Sequence, residues 1–514
     1  PKIEKYYSEE HYTERTIIET PAQEKFRNLV ERQPRLEQHS LDVVVEGENI
    51  ETNVTIEDKG SKPINDVYFW QDTNYYNLDT FLLSILQQEG INESNVTDEK
   101  VVRAFVKFAI EHKTHDFEPG LMFTPNRAFS TTGYWLCGST LRILGRMFEN
   151  YGIPARGLAL KHHTTPEVYF DSDWHIVDAQ LPDPSLNPGF SGFLIDRKTG
   201  KIASPEQLIK NPENYLSTKE EWNVFNKVYK SDEKHSTKGE KGKRNLGPIN
   251  IINLPTEDVK MAFDLFPGQK VTFLGERGGI YWPTYEGSVI NYGQPDTNLK
   301  KKPHADRFGG ELYGNGSIIW TPDTEKINLL LRELKRNNFG DSGMRVPLEL
   351  FVNSPYPILN AYVDIELTGS KNADLEKLTL NPFPSPHFVP FSNPSRLSNE
   401  KNTVQLGDMF KFDGTYSIKP EFNYGIRIIF SPGEEGSCPQ IKDLSIDSTF
   451  QYSWINHQLR LKPGKNIIHY YGPQLGQIEN TQELNEEGYK ILKVRGDNGL
   501  EIVFKYKEKP KQAQ

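Results

Sequence analysis

Cysteine is scarce in this chain: Cys137 and Cys438 are the two in 514 residues. That excludes a disulfide framework and a cysteine-rich zinc site, while leaving the redox compartment open. Long apolar runs are missing too. None approaches the ~20 residues of a membrane helix, so no membrane span is expected. A positive charge balance is also lacking, with 60 Lys and Arg against 70 Asp and Glu for a net charge of −10. A protein that coats nucleic acid needs clustered or net positive charge, so nucleic acid is not an expected partner. What the chain does have is 36% hydrophobic and 11% aromatic residues, enough to build sizeable cores. Its length implies several domains.

Residues 21–39 carry a polar helical pattern. Residues 41–70 then alternate with period two around turns at Gly47 and Lys59-Gly60, as an antiparallel β unit would. From Leu78 the period becomes helical in DTFLLSILQQ, DEKVVRAFVKFAIEHK and STLRILGRMFEN. The short strand-like runs ARGLAL, EVYF and WHIVD follow. Helices leading into strands indicate an α+β unit. Residues 231–245 are wholly polar and read as a linker or long loop. Beyond them β patterns dominate, apart from the helix-like INLLLRELKRN, which places a boundary near 340. The expected organisation is therefore a helix plus β unit over 1–76, an α+β core ending in the polar linker over 77–245, a β-rich domain over 246–340 and a β-sandwich over 341–514.

Chemistry concentrates in residues 133–178. Cys137 stands at the start of a predicted helix, where the positive end of the macrodipole favours thiolate. His162 and His163 open a predicted strand, and Asp178 closes the next one after the turn Asp171-Ser172-Asp173. A hairpin of that kind sets a histidine beside an aspartate. Cys137, His163 and Asp178 would then serve as nucleophile, base and orienter, although a lone thiol is more often a small packed hydrophobe. The run holding His112, His115, Asp116 and Glu118 fits no standard zinc spacing and reads as a solvated helix end. HADRF at 304–308, with His304, Asp306 and Arg307, is similarly suggestive of a metal cluster but unsupported, the Lys300–Lys302 run reads as a surface loop, and no cofactor or metal is expected.

The same stretch resembles the transglutaminase-like superfamily, a papain-related group. The resemblance rests on a Cys that begins a helix, the GIPAR turn at 152–156, and His163 followed by Glu167, Val168, Tyr169-Phe170, Trp174 and Asp178. It spans residues 95–185. It implies a papain-like α+β core with Cys137 as nucleophile, His163 as general base and Asp178 as its orienter. Thr164, Thr165 and Pro166 stand where the family commonly has a small residue and a Trp, so a reshaped histidine loop is expected. The Cys137 N–H would give one oxyanion donor, with Trp135, Tyr134 or Asn126 as candidates for the second.

The C-terminal β region, with NSPYPILNAYVDIEL and STFQYSWINHQLRLKPGKNIIHYY, resembles accessory β-sandwiches of bacterial polysaccharide-degrading enzymes. Three functions follow as expectations. The first is a cysteine hydrolase or acyl transferase acting on a peptide, glycopeptide or glycan-linked amide or ester. The second is a polysaccharide lyase with His162 or His163 as base, Tyr134 or Tyr169 as acid, and Arg156 or Asn126 neutralising the carboxylate. The third is a non-catalytic glycan- or protein-binding module. His162, Tyr169 and Arg156 are also the expected substrate-binding groups. A secreted or periplasmic bacterial setting is expected, with the cytoplasm kept open and the oligomeric state undetermined.

Overall fold

The computed structural model describes residues 20–508 except 46–49, 115–123, 161–162, 180–191, 197, 205–206, 208–209, 217, 225–247, 250–258, 281–288, 291–293, 296–303, 306–308, 339–345, 370–372, 382–386, 391–394, 399, 407–410, 413–417, 420, 431–439, 458 and 480–487. The fold is mixed α+β and strand-rich, with several sheets, and the chain divides into two compact units. The polar run 231–245 and the residues His115, Asp116, Glu118, Asp306 and Arg307 lie outside the described residues.

Unit 1 comprises residues 1–35, 72–260 and 303–312. Its helices begin as their sequences dictate. Helix α1 (Pro21–Glu31) has Pro at its first turn and a reciprocal cap between Thr20 and Gln23. Helix α2 (Leu78–Gln88) is capped in the same way by Asn77 and Thr80, and α3 (Asp98–His112) by Thr97. Short α4 (Pro125–Thr131) leads into α5 (Cys137–Tyr151). The buried residues Leu141, Leu144, Phe148 and Tyr151 recur every three or four positions along α5 and form its core-facing stripe. Gly152 ends the helix at φ 100, a conformation glycine adopts without penalty, and the N–H groups of Gly152 and Ile153 satisfy the Phe148 carbonyl.

Four antiparallel strands follow: β1 (Ala155–Leu160), β2 (His163–Phe170), β3 (Asp173–Ile176) and β4 (Pro248–Ile249), ordered β3-β2-β1-β4. Edge-on aromatic contacts run from Phe81 on α2 to Phe108 on α3 (5.3 Å), Phe129 on α4 (5.1 Å) and Trp135 (4.9 Å). This chain of rings fixes the segment just before Cys137 to the helical core.

Unit 2 comprises residues 36–71, 261–302 and 313–514. One sheet orders strands Gln38–Val45, Gly464–Tyr471, Ile64–Trp70 and Phe263–Leu265. A larger sheet is centred on the 23-residue strand Val346–Thr368, which pairs with Glu421–Phe430, Lys401–Gln405 and Gln440–Ser453. It continues through Tyr313–Trp320, Gln269–Arg277, Ile50–Asp58 and Leu500–Glu508. Burial alternates along Gln269–Arg277, the signature of a strand with one face in a core. Phe263, Phe273, Tyr356 and Phe450 pack within 6.2 Å of one another, ring centre to ring centre. A cavity of about 20 Å³ beside them, lined by Ile56, Val67, Tyr356 and His457, has room for about one water and none for a substrate.

These units correct the expected chain-order domains. Helix α1 belongs with the α+β core of unit 1, because Phe26 and Leu29 are buried and Lys25–Asp98 (2.7 Å) and Arg32–Asp79 (2.9 Å) tie it to α3 and α2. Strands 38–70 instead belong with the C-terminal β region, since Ile50–Asp58 pairs with Leu500–Glu508 along its whole length. The expected boundary near 340 falls within unit 2, because Tyr313–Trp320 pairs with Gln440–Ser453. The core also extends past 245, as β4 adds to β1.

Candidate active site

Cys137 is the first residue of α5 and is half-buried. The residue before it, Leu136, supplies no side-chain cap, so the amides of the first turn are presented to whatever anion stands there. Thr114 accepts from the Trp135 N–H (3.3 Å) and donates its own N–H to Gly133 O (3.0 Å), which pins this turn to the end of α3.

His163 opens β2, and the turn from β2 to β3 explains how it meets Asp178. Asp171 and Ser172 both have positive φ, 49 and 64, the two-residue hairpin geometry that matches strand twist. The register Glu167↔Ile176 is carried on by Val177 N–H to Pro166 O (3.2 Å) and Thr165 Oγ1 to Val177 O (2.6 Å). Asp178 therefore arrives beside His163, and its Oδ2 lies 2.7 Å from Nε2 of the ring. Both side chains are buried. With Nε2 taken by the carboxylate, Nδ1 is left for the thiol, which hydrogen-bonds to His163.

The electrostatics follow from these contacts. The His163 hydrogen bond brings the Cys137 thiol down to about 7; burial opposes that, and the Thr164 backbone N–H adds to it. Burial works against a charged His163, yet the Asp178 carboxylate and then the Cys137 sulfur overcome it and push its pKa up to about 10. The two groups titrate as a pair, and between those values the thiolate–imidazolium form dominates.

Thr164 is the functional residue that sequence reasoning missed. Its N–H and its hydroxyl both act to lower the Cys137 pKa, and the buried hydroxyl is committed to no hydrogen-bond partner. The available signal was the threonine pair, Thr164-Thr165, directly after His163. Thr164→Val should raise the midpoint pH for alkylation of Cys137 and slow the reaction roughly tenfold below that midpoint, because a hydrogen bond to a charged group contributes about 1.5–3 kcal/mol. Thr164→Ser should restore both, which mass-resolved iodoacetamide kinetics would measure.

The backbone behind Asp178 is held as firmly as its side chain. Its N–H donates to Gly192 O at 3.0 Å, and Gly192 sits at φ +85. A Cβ there would fall 2.9 Å from both Asp178 O and Ile110 Cδ1. Gly192→Ala should therefore cost about 1–3 kcal/mol from backbone strain and displace Asp178. Chemical denaturation and the alkylation rate of Cys137 would report the two effects separately.

The remaining predicted site residues divide. Trp135 is 1% exposed, and its indole N–H, two residues before Cys137, has no hydrogen-bond partner. Tyr134 is wholly buried in the core. Asn126 is corrected to a structural role: its amide protons go to Tyr75 O (3.2 Å) and Val259 O (2.8 Å), leaving none for an oxyanion or a substrate carboxylate. Arg156 is likewise committed. Its Nε lies 2.6 Å from Glu167 Oε2 and its Cζ 3.9 Å from the Trp174 ring centre. Tyr169 packs edge-on against Trp174 at 5.4 Å. Arg156 is paired across from Glu167, four residues along β2 from His163, and Tyr169 is six along. At ~3.3 Å per residue their backbone positions stand about 13 and 20 Å along the sheet from that of the histidine, and Arg156, Glu167 and Trp174 form a clamp there. His162 lies outside the described residues. His112 is a satisfied helix end, with Nδ1 3.0 Å from Phe108 O and its ring stacked on Phe108.

What this arrangement can do is hold a thiolate at a helix N-terminus, beside an imidazolium whose other nitrogen is fixed by a buried carboxylate. No protein-family model, curated protein or solved structure matches the chain.

Proposed function

We propose that unit 1 is a cysteine-dependent hydrolase or acyl transferase of transglutaminase-like fold, acting on an amide or ester bond. The observation that carries the reading is the order Cys137–His163–Asp178, with the thiol at the start of α5 and the 2.7 Å His163–Asp178 contact behind it.

The chemistry runs as follows. The Cys137 thiolate attacks the acyl carbon, and the carbonyl π electrons move to oxygen. That oxyanion meets the Cys137 N–H at the start of α5, with the Trp135 indole N–H as the second donor within the same turn. The His163 imidazolium gives its Nδ1 proton to the leaving nitrogen or oxygen as the carbon–heteroatom bond breaks, leaving an acyl thioester and a neutral imidazole. Water, or an amine in the transferase case, attacks the thioester while His163 takes its proton. Collapse expels the thiolate and restores the ion pair. Asp178 stays ionised throughout and holds the ring in the orientation both half-reactions need.

The β-elimination alternative has less support, because Arg156 and Asn126 are committed elsewhere and Tyr169 lies far along β2. The test is a turnover screen of peptides, glycopeptides and acidic polysaccharides, with intact-mass analysis of the quenched protein. A covalent adduct on Cys137 with an amide or ester substrate supports the proposal. Cleavage of a polysaccharide to an unsaturated uronide by Cys137→Ala would overturn it.

A further inference from the structure

Gly138 follows Cys137 in the first turn of α5. A glycine is required where φ is positive, or where a neighbour stands too close for a Cβ. Gly90 and Gly464 meet the first condition, at φ 65 and 92. Gly275 and Gly425 meet the second, since a Cβ would fall 2.6 Å from Thr52 O and 2.8 Å from Phe351 Cε1. Gly138 meets neither. Its backbone is helical, and a Cβ there would find no atom within 4 Å outside its chain neighbours and the helix backbone. Glycine also weakens a helix relative to alanine, so α5 carries a cost here that no contact of the fold explains.

The position borders the opening to the thiol. From Ala128 to Leu141 every residue is buried except the consecutive three Leu136, Cys137 and Gly138, which are half-buried. Among the described residues, those that act on the sulfur are His163 and Thr164, both from β2. On the α5 flank the thiol is followed by a residue with no side chain.

Leaving out a side chain beside a nucleophile lets a ligand approach the backbone closely. An acyl carbon under attack must come close to the sulfur, and the groups attached next to it are carried against the helix start. A straight methylene chain is narrow there. A branched carbon or a ring is wide, and it needs the volume that a side chain at 138 would fill.

We propose that Gly138 is a specificity-determining residue, which keeps the approach to Cys137 wide enough for an acyl group that is branched or ring-bearing at the carbon beside its carbonyl. The ligand's identity as an acyl group rests on the function proposed above. The width of the approach is a property of the thiol itself and is read without any acyl chemistry.

The test compares alkylation of Cys137 in the full chain by iodoacetamide and by the bulkier N-phenylmaleimide, each rate divided by that of free cysteine and resolved by peptide mass spectrometry. In the native protein and in Gly138→Ala the two normalised rates should agree within about threefold. Gly138→Phe should slow N-phenylmaleimide roughly tenfold or more and iodoacetamide less than about threefold, with the midpoint pH of alkylation unmoved. Gly138→Ala should also raise the denaturation midpoint, because alanine favours the helix and meets open space. A native protein that already rejects N-phenylmaleimide, or a Gly138→Phe variant that slows both reagents alike or neither, would overturn the proposal. A lower denaturation midpoint in Gly138→Ala would give the glycine a structural reason and overturn it too. Alkylation forms no acyl intermediate, so a failed substrate screen leaves this readout intact and the two failures are told apart.

Discussion

Cys137→Ala is expected to reduce turnover to background, a loss on the order of 10⁴-fold or more, with the fold retained. The size follows from the role. Acyl transfer through a thioester has no alternative nucleophile on α5, and removing the covalent step from a triad leaves only binding and oxyanion contacts. Stability should change little, because Cys137 is half-buried at a helix end and Ala is a good helix former. Cys137→Ser separates sulfur chemistry from steric fit. It keeps the shape, but the hydroxyl cannot ionise beside His163 as a thiol at about 7 does, so it should be nearly as inactive. Circular dichroism and substrate turnover on the same samples would check both statements.

Asp178→Asn is expected to cost about 10²–10⁴-fold in kcat with little change in KM. The carboxylate is 1% exposed and 2.7 Å from Nε2, so it acts on the ring and not on the substrate. The pH profile gives a readout that a merely structural loss would not. On the proposed mechanism the reacting pair is thiolate plus imidazolium. kcat/KM should therefore rise as pH increases through about 7, where the thiol ionises, and fall through about 10, where His163 loses its proton. Without the Asp178 charge, burial is left to lower the His163 pKa, so the alkaline limb moves down. The thiol then loses its charged partner and the acidic limb moves up. The variant should show a narrow profile at reduced height.

Much of this site was legible in the sequence because its determinants are local. A helix stripe, a glycine stop and a two-residue hairpin turn are each set within a few residues, and together they carry Cys137, His163 and Asp178 to one place. The clamp of Arg156, Glu167 and Trp174 could also have been found from register alone, since Arg156 falls opposite Glu167 once β1 and β2 are paired. Other features depend on partners distant in sequence. The amide of Asn126 is consumed by a carbonyl 133 residues on, and nothing near Asn126 announces it. The same applies to the sheet of unit 2. Ile50–Asp58 has the right alternation for a strand, but alternation does not select Leu500–Glu508 as its neighbour over any other exposed edge. Domain boundaries drawn along the chain failed for that reason.

The most direct test of the central claim is the rate of Cys137 alkylation by iodoacetamide as a function of pH, followed by mass spectrometry, in the native protein and in His163→Ala. The thiolate–imidazolium account predicts a midpoint near 7 in the native protein and a clear upward displacement when the imidazole is removed. A native midpoint in the ordinary thiol range, unmoved by His163→Ala, would contradict it.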